Sequence, residues 1–272
     1  MSQKAVTDFF IFCPPKCGTT SLFHMLSQHP ELSPCNIKEP HFFSINYTNG
    51  LEWYNNLFEK NDKQKFEAST SYFSNERATK RLKKNLDKQP KLIIVLRNPV
   101  ERFISLYKHF RAVYRIVNDE SLYDNFLSSI SWAEQFVENN FSGLGLSIQQ
   151  WQNKEYDIND THFKMFEKEI NCGMYYEHIC NLSDNLNCSI MLLEYSKFKQ
   201  DNINTIHTIE NFLGISNFNG YEKLEYNQSS DWEQFVDVKS DITKDFTDNL
   251  HELYRSSNTQ LEKFLNTKLN WD

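Results

Sequence analysis

A lysine, a glycine and three hydroxyl residues stand together in Lys16-Cys17-Gly18-Thr19-Thr20-Ser21, directly after the apolar run at residues 9–13 and directly before Leu22, Met25 and Leu26 at helical spacing. A helix that begins on such residues turns its first backbone N–H groups and the positive end of its dipole toward the turn, where an anion can be held. Lys16 adds a full charge at the same place. The same arrangement recurs at residues 91–107, where the apolar run Lys91-Leu-Ile-Ile-Val-Leu96 ends on Arg97 and Asn98-Pro99 opens a second helix. Two such turns suit a ligand with phosphates at two separated positions. The lysine precedes the glycine, so the Walker order of a nucleotide-hydrolysing loop is absent, and no acidic magnesium partner accompanies it.

The elements that must carry these turns read as alternating strands and helices. Residues 9–13, 91–96 and 189–194 are short apolar runs of the kind a parallel sheet buries on both faces. Residues 31–34 read as a short extended piece, 37–43 as a loop and 66–73 as a strand end followed by a loop. Helices are expected at residues 51–58, 76–86, from Pro99 onward with Val100, Phe103, Ile104 and Tyr107 as its buried stripe, at 171–185, at 202–213 up to Gly214, and at 241–265 as one or two pieces. Residues 119–170 read as helices with irregular joints and 217–239 as loop. The expected fold class is α/β, a central parallel β-sheet flanked by helices, with ligands at the carboxyl ends of the strands. No linker composition and no internal repeat appears, so residues 1–272 read as a single domain.

Composition narrows the partners. A net charge of −7 argues against nucleic acid, which requires a basic stripe, and makes a strongly polyanionic acceptor less fitting than a neutral or cationic one. Residues 1–8 are polar and the run at 9–13 is too short for a signal or a membrane span, so a cytoplasmic protein with no membrane partner is expected. The six cysteines form no C-x-x-C pair and read as reduced thiols.

On Pro-Pro-Lys-Cys-Gly-Thr-Thr-Ser-Leu at residues 14–22 and Ile-Val-Leu-Arg-Asn-Pro-Val-Glu-Arg-Phe-Ile-Ser at 94–105, the chain resembles the sulfotransferases that use 3′-phosphoadenosine 5′-phosphosulfate (PAPS). Lys38-Glu-Pro-His-Phe-Phe43, Gly50-Leu-Glu-Trp-Tyr54, Ser71-Tyr-Phe73, Gly173-Met-Tyr175 and the stretch from Leu253 to Trp271 follow the order of the carbohydrate, heparan-sulfate-type branch and its bacterial relatives. The resemblance implies a P-loop-like sulfotransferase fold in which Lys16, Cys17, Gly18, Thr19, Thr20 and Ser21 hold the 5′-phosphosulfate and Arg97 and Ser105 the 3′-phosphate. It makes Glu39 the catalytic base, with His41 beside it and Lys16 following the charge on the leaving phosphate. PAPS is then the donor, adenosine 3′,5′-bisphosphate (PAP) the product, and no metal is needed. Each residue also has a plain structural reading: a helix start for residues 16–21, a cap or a Glu101 partner for Arg97, a back-bonded serine for Ser105, a loop carboxylate for Glu39 and a hydrogen-bonded histidine for His41. Tyr175, Trp53 and the Phe42-Phe43 pair read as core, and Cys17 as a passive small residue.

Two departures bear on the acceptor. Ala68 stands where that branch carries a lysine toward an anionic polymer, and its basic cofactor loop has no counterpart near residues 227–232, leaving Lys239 or Lys244 as substitutes. The expectation is sulfuryl transfer to a hydroxyl or nitrogen of a small polar acceptor such as a natural product, with a saccharide O- or N-sulfotransferase as the alternative. A kinase-like phosphotransferase and an inactive nucleotide-binding protein are the rivals from other classes. Oligomeric state is not legible in the chain.

Overall fold

Phe9–Ile11 forms the strand β1 at the middle of a parallel sheet, with every residue buried. The computed structural model describes residues 4–116, 163–222 and 242–271, so most of the stretch at 119–170 and the loop readings beyond residue 222, with Lys239 among them, lie outside the described residues. The chain divides into two compact units, the first Met1–Arg97 with Cys180–Asn227 and the second Asn98–Ile179 with Gln228–Asp272.

The first unit holds the sheet. After β1 come β2 (Leu32–Pro34), β3 (Gln64–Ala68), β4 (Lys91–Leu96) and β5 (Ser189–Glu194), in the spatial order β2-β3-β1-β4-β5, with all pairings parallel. β1 is flanked by β3, where Phe9 faces Phe66, and by β4, where Phe9 faces Lys91. The chain therefore leaves β1 in opposite directions in its two halves, which makes the carboxyl end of β1 a switch point where ligands of open α/β sheets bind. Successive strand residues point to opposite faces. Phe9 and Ile11 pack with Leu22, Met25, Ile93, Ile206 and Ile209, while Phe10 and Phe12 meet an aromatic layer at Phe43 and Tyr72. Both faces are covered, which is why β1 and β4 read as unbroken apolar runs.

Four further helices belong wholly to this unit besides α1 (Thr19–Leu26): α2 (Gly50–Asn55), α3 (Glu76–Asn85), α7 (Tyr195–Gln200) and α8 (Asn202–Leu213). α3 starts where the Asn75 side chain accepts from the amide of Ala78, and α8 stops at Gly214, φ 75°. α7 was not expected from sequence.

The second unit is helical among the described residues, with α4 (Pro99–Ile116), α5 (Phe163–Asn171), the start of α6 (Tyr175–Asn185) and the single long α9 (Lys244–Leu265). Asn98 caps α4 as its sequence indicates, with its side chain accepting from the amides of Val100 and Glu101 at 2.9 and 3.2 Å. Val100, Phe103 and Tyr107 enter a core with Phe166, Ile170, Phe246, Leu250 and Tyr254, and Ile104 packs against it partly buried. Arg102 lies fully buried in the same unit, its guanidinium 3.0 Å from the Glu169 carboxylate. A β-carbon on Gly173 would lie 2.7 Å from the Tyr254 ring, so only glycine fits at that contact. Tyr175 is buried against Trp271, in keeping with a core role.

Candidate active site

The loops leaving all five strands of the sheet supply the residues of one cluster in the first unit. The loop after β1 bends twice into the left-handed region, at Lys16 (φ 67°) and at Gly18 (φ 80°), before α1 begins. For a lysine this conformation costs about 1–3 kcal/mol and persists only where the surroundings over-determine it. Cys13 anchors the loop's root: its buried Sγ accepts from the amide of Val95 at 3.0 Å, and burial pushes the thiol far up. Cys17 is buried as well, and all six cysteines carry free thiols. Gly18 caps α1 without a side chain of its own, and Thr19, Thr20 and Ser21 form the helix's first turn. A β-carbon on Gly18 would come within 2.9 Å of the Tyr195 ring, so both its backbone angle and its neighbour demand glycine.

Tyr195, the first residue after β5, also carries Arg97, whose guanidinium lies 4.9 Å from the ring centroid. One aromatic side chain thus joins the turn after β1 to the residue after β4. Burial lowers the Lys16 ammonium, Arg97 and Lys38 lower it further, and Glu39 alone opposes them. Lys16 thus stands in the field of two other cations and one carboxylate, in a chain of net charge −7.

Glu39 follows β2. Its carboxylate meets Lys38 at 2.5 Å, His41 at 3.2 Å and the Thr70 hydroxyl at 3.2 Å. Burial works to raise its pKa, but His41 and Lys38 together outweigh burial and hold it at about 2. The group is therefore ionised at neutral pH. Glu39 and His41 both sit at positive φ, 60° and 50°, so this loop is strained too. On its other side the His41 ring meets the Ser71 hydroxyl at 2.8 Å, Ser71 meets Ser44 at 2.6 Å, and Ser44 donates to the His41 carbonyl. Because the Ser44 hydrogen goes to that carbonyl, Ser71 donates to Ser44 and is left to accept from the His41 ring.

Lys38→Met is expected to let the Glu39 carboxyl rise from about 2 toward its ordinary 4.5, as read by carbon-13 NMR of the carboxyl. The sign follows from linkage. A depressed carboxyl stabilises the fold above pH 4.5 and that stabilisation is lost as pH falls toward 2, so urea midpoints across this window should fall less steeply in the variant.

Of the residues singled out from sequence, Lys16, Cys17, Gly18, Thr19, Thr20, Ser21, Glu39, His41 and Arg97 all belong to the first unit. Ser105 lies half-buried on α4 in the second. The Phe42-Phe43 pair is fully buried in the aromatic layer, where Phe42 stacks on Tyr54 at 4.5 Å. Sequence reasoning passed over Lys38, Thr70, Ser71 and Tyr195. Lys38 was signalled by its place next to Glu39 and Ser71 by opening the Ser71-Tyr-Phe73 motif, whereas nothing local marks Thr70 or Tyr195. Among the described residues no group of His, Cys, Asp and Glu side chains has metal-ligand spacing, and no helix is long and apolar enough to cross a membrane.

The family model of the sulfotransferase domain matches residues 6–233. The chain belongs to the sulfotransferase family. It is 36% identical over 117 residues to a bifunctional heparan sulfate N-deacetylase/N-sulfotransferase 1 of Caenorhabditis elegans, a match covering 41% of this chain and 14% of that much longer protein. Among solved structures it is similar to a sulfotransferase from Alicyclobacillus acidocaldarius, with TM-score 0.68 and 22% identity over 98% of this chain and 99% of that one. It also resembles mouse sulfotransferase SULT7A1 complexed with PAP, with TM-score 0.54 and 15% identity over 97% of this chain and 88% of that one. At these identities the structural likeness speaks to the fold, and it bears out the α/β sulfotransferase architecture expected from sequence.

Proposed function

We propose that this protein transfers the sulfuryl group of PAPS to a hydroxyl or nitrogen of a polar acceptor, with residues 1–272 working as one catalytic domain. The observation that carries the reading is the cation cluster of Lys16, Lys38 and Arg97 facing an ionised Glu39. A nucleotide with phosphates at both ends fits such a cluster, and the PAP bound to the mouse relative has that chemistry. The residues of the first turn of α1, with Lys16, Cys17 and Gly18, would hold the 5′-phosphosulfate end and Arg97 the 3′-phosphate. Ser105 is assigned to that phosphate on its motif alone. The donor supplies an activated sulfuryl group. Lys16 then neutralises charge growing on the leaving phosphate, and Glu39 receives the acceptor's proton and shares it with His41 at 3.2 Å. The depressed pKa of Glu39 makes it a weak base by itself, so the proton it takes must be passed on rather than held.

Two observations pull the acceptor in different directions. The acidic balance and Ala68 in place of a lysine favour a small neutral or cationic molecule, such as a natural product. The relative from C. elegans, a heparan sulfate enzyme by name, favours a saccharide amine or hydroxyl. Comparing a neutral amino sugar with an unsulfated anionic glycosaminoglycan as acceptors separates the two. For the reaction class, calorimetric titration with PAP is expected to show binding that Arg97→Ala weakens by about tenfold or more, since one charge-assisted phosphate contact is lost. Magnesium-dependent ATP consumption without PAP binding would instead make the protein a phosphotransferase. Binding of PAP with no sulfation across a broad acceptor panel would make it a binding protein.

A further inference from the structure

Glu67, near the end of β3, is fully buried, although it is a carboxylate. Its Oε1 accepts from the hydroxyls of Tyr54 and Tyr72, each at 2.9 Å, and its Oε2 from the hydroxyl of Ser69 at 2.5 Å. Two of these hydroxyls look both ways. The Ser69 oxygen also accepts the backbone N–H of His41 at 3.0 Å, and the Tyr72 oxygen accepts the backbone N–H of Phe43 at 3.2 Å. With an amide pointed at each oxygen, the hydroxyl hydrogens are left for Glu67. The carboxylate thus reaches two backbone amides of the strained loop through two one-atom adaptors, while Tyr54 is tied in turn to Thr7 at 2.6 Å.

We propose that Glu67 is a positioning residue for the loop that presents Glu39 and His41, acting through Ser69 on the amide of His41 and through Tyr72 on the amide of Phe43. A sheet does not need a charge at this point: the flanking residues of β3, Phe66 and Ala68, are buried and apolar. Burying an ion is costly unless it is fully hydrogen-bonded, so a carboxylate here is explained by what it organises. Burial pushes its carboxyl up to about 7 even against the three hydroxyls, which fits a group held in place at a cost to the sheet. The left-handed backbone at residues 39 and 41 is what such a scaffold must impose, since neither residue is a glycine. The inference deepens the assignment of Glu39 as the proton acceptor and rests on it.

The test needs no acceptor. Backbone hydrogen exchange in the full-length protein is compared for Ser69→Ala, Tyr72→Phe and Glu67→Gln, together with the carbon-13 titration of the Glu39 carboxyl, assigned through Glu39→Gln. Ser69→Ala should speed exchange at the His41 amide, Tyr72→Phe at the Phe43 amide, and Glu67→Gln at both, each by about tenfold or more, with β4 at residues 91–96 changed by less than about twofold. In Ser69→Ala and Glu67→Gln the Glu39 titration should climb from about 2 toward 4.5 as Lys38 and His41 lose their alignment with it. Should Glu67→Gln fail to fold, the two hydroxyl variants decide the matter. Equal acceleration in β4, no acceleration at residues 41 and 43, or local acceleration with Glu39 unmoved would each overturn the positioning role. The PAP titration of the unsubstituted protein reports separately on the sulfotransferase reading, so the two can fail independently.

Discussion

Lys16→Ala is expected to lower turnover at saturating donor by about 100-fold or more, the usual cost of removing a group that meets charge developing in the transition state. Lys16 is strained at φ 67° and crowded by Arg97 and Lys38, an arrangement whose repulsion is relieved when an anion arrives. The loss should fall mainly on kcat, because PAP keeps Arg97 and the first turn of α1. Lys16→Arg should rescue poorly, since a planar fork replaces a compact point charge. Burial and the neighbouring cations lower the Lys16 pKa, so the ammonium is lost at lower pH than in an ordinary lysine. Turnover should therefore fall on an alkaline limb as pH rises through that lowered value, and the limb should vanish in Lys16→Arg. Turnover of Lys16→Ala within about threefold of the parent would remove this residue from the site.

Glu39→Gln should cost about 100- to 10,000-fold in turnover, since the amide keeps the shape but cannot take a proton. Its effect on binding has the opposite sign. Glu39 is the negative group among Lys16, Lys38 and Arg97, so its neutralisation leaves a more positive site, and calorimetry should find PAP bound as tightly or more tightly. Slow turnover with intact PAP affinity is the combination that identifies a proton acceptor rather than a donor-binding residue. If Glu39→Gln retains turnover while His41→Asn abolishes it, the proton role passes to the histidine, with Glu39 as its orienting partner at 3.2 Å.

Much of the scaffold could be read from the chain because its signals are local. β1, β4 and β5 announce themselves as apolar runs, and Asn98-Pro99 marks the start of α4 in a way the hydrogen bonds of Asn98 repeat. β3 was legible only from Phe66 on, because Gln64 and Lys65 look like loop; they are strand because Leu32 and Ser33 of β2 pair with them. α7 opens with Tyr195, whose ring meets Gly18 and Arg97 from far along the sequence, and no periodicity encodes such a contact.

By itself the sequence determined that Lys16 precedes Gly18, that a second strand ends on Arg97, and that Glu39 follows both a strand and a lysine. These are properties of order and spacing. Tertiary structure alone decided that Lys16, Lys38, Arg97 and Glu39 feel one another's charge, and that a buried Glu67 reaches the loop of Glu39 through two hydroxyls. The physical reason is that charge coupling and hydrogen bonding depend on distance through space. A parallel sheet gathers its strand ends at one edge regardless of how far apart they lie along the chain.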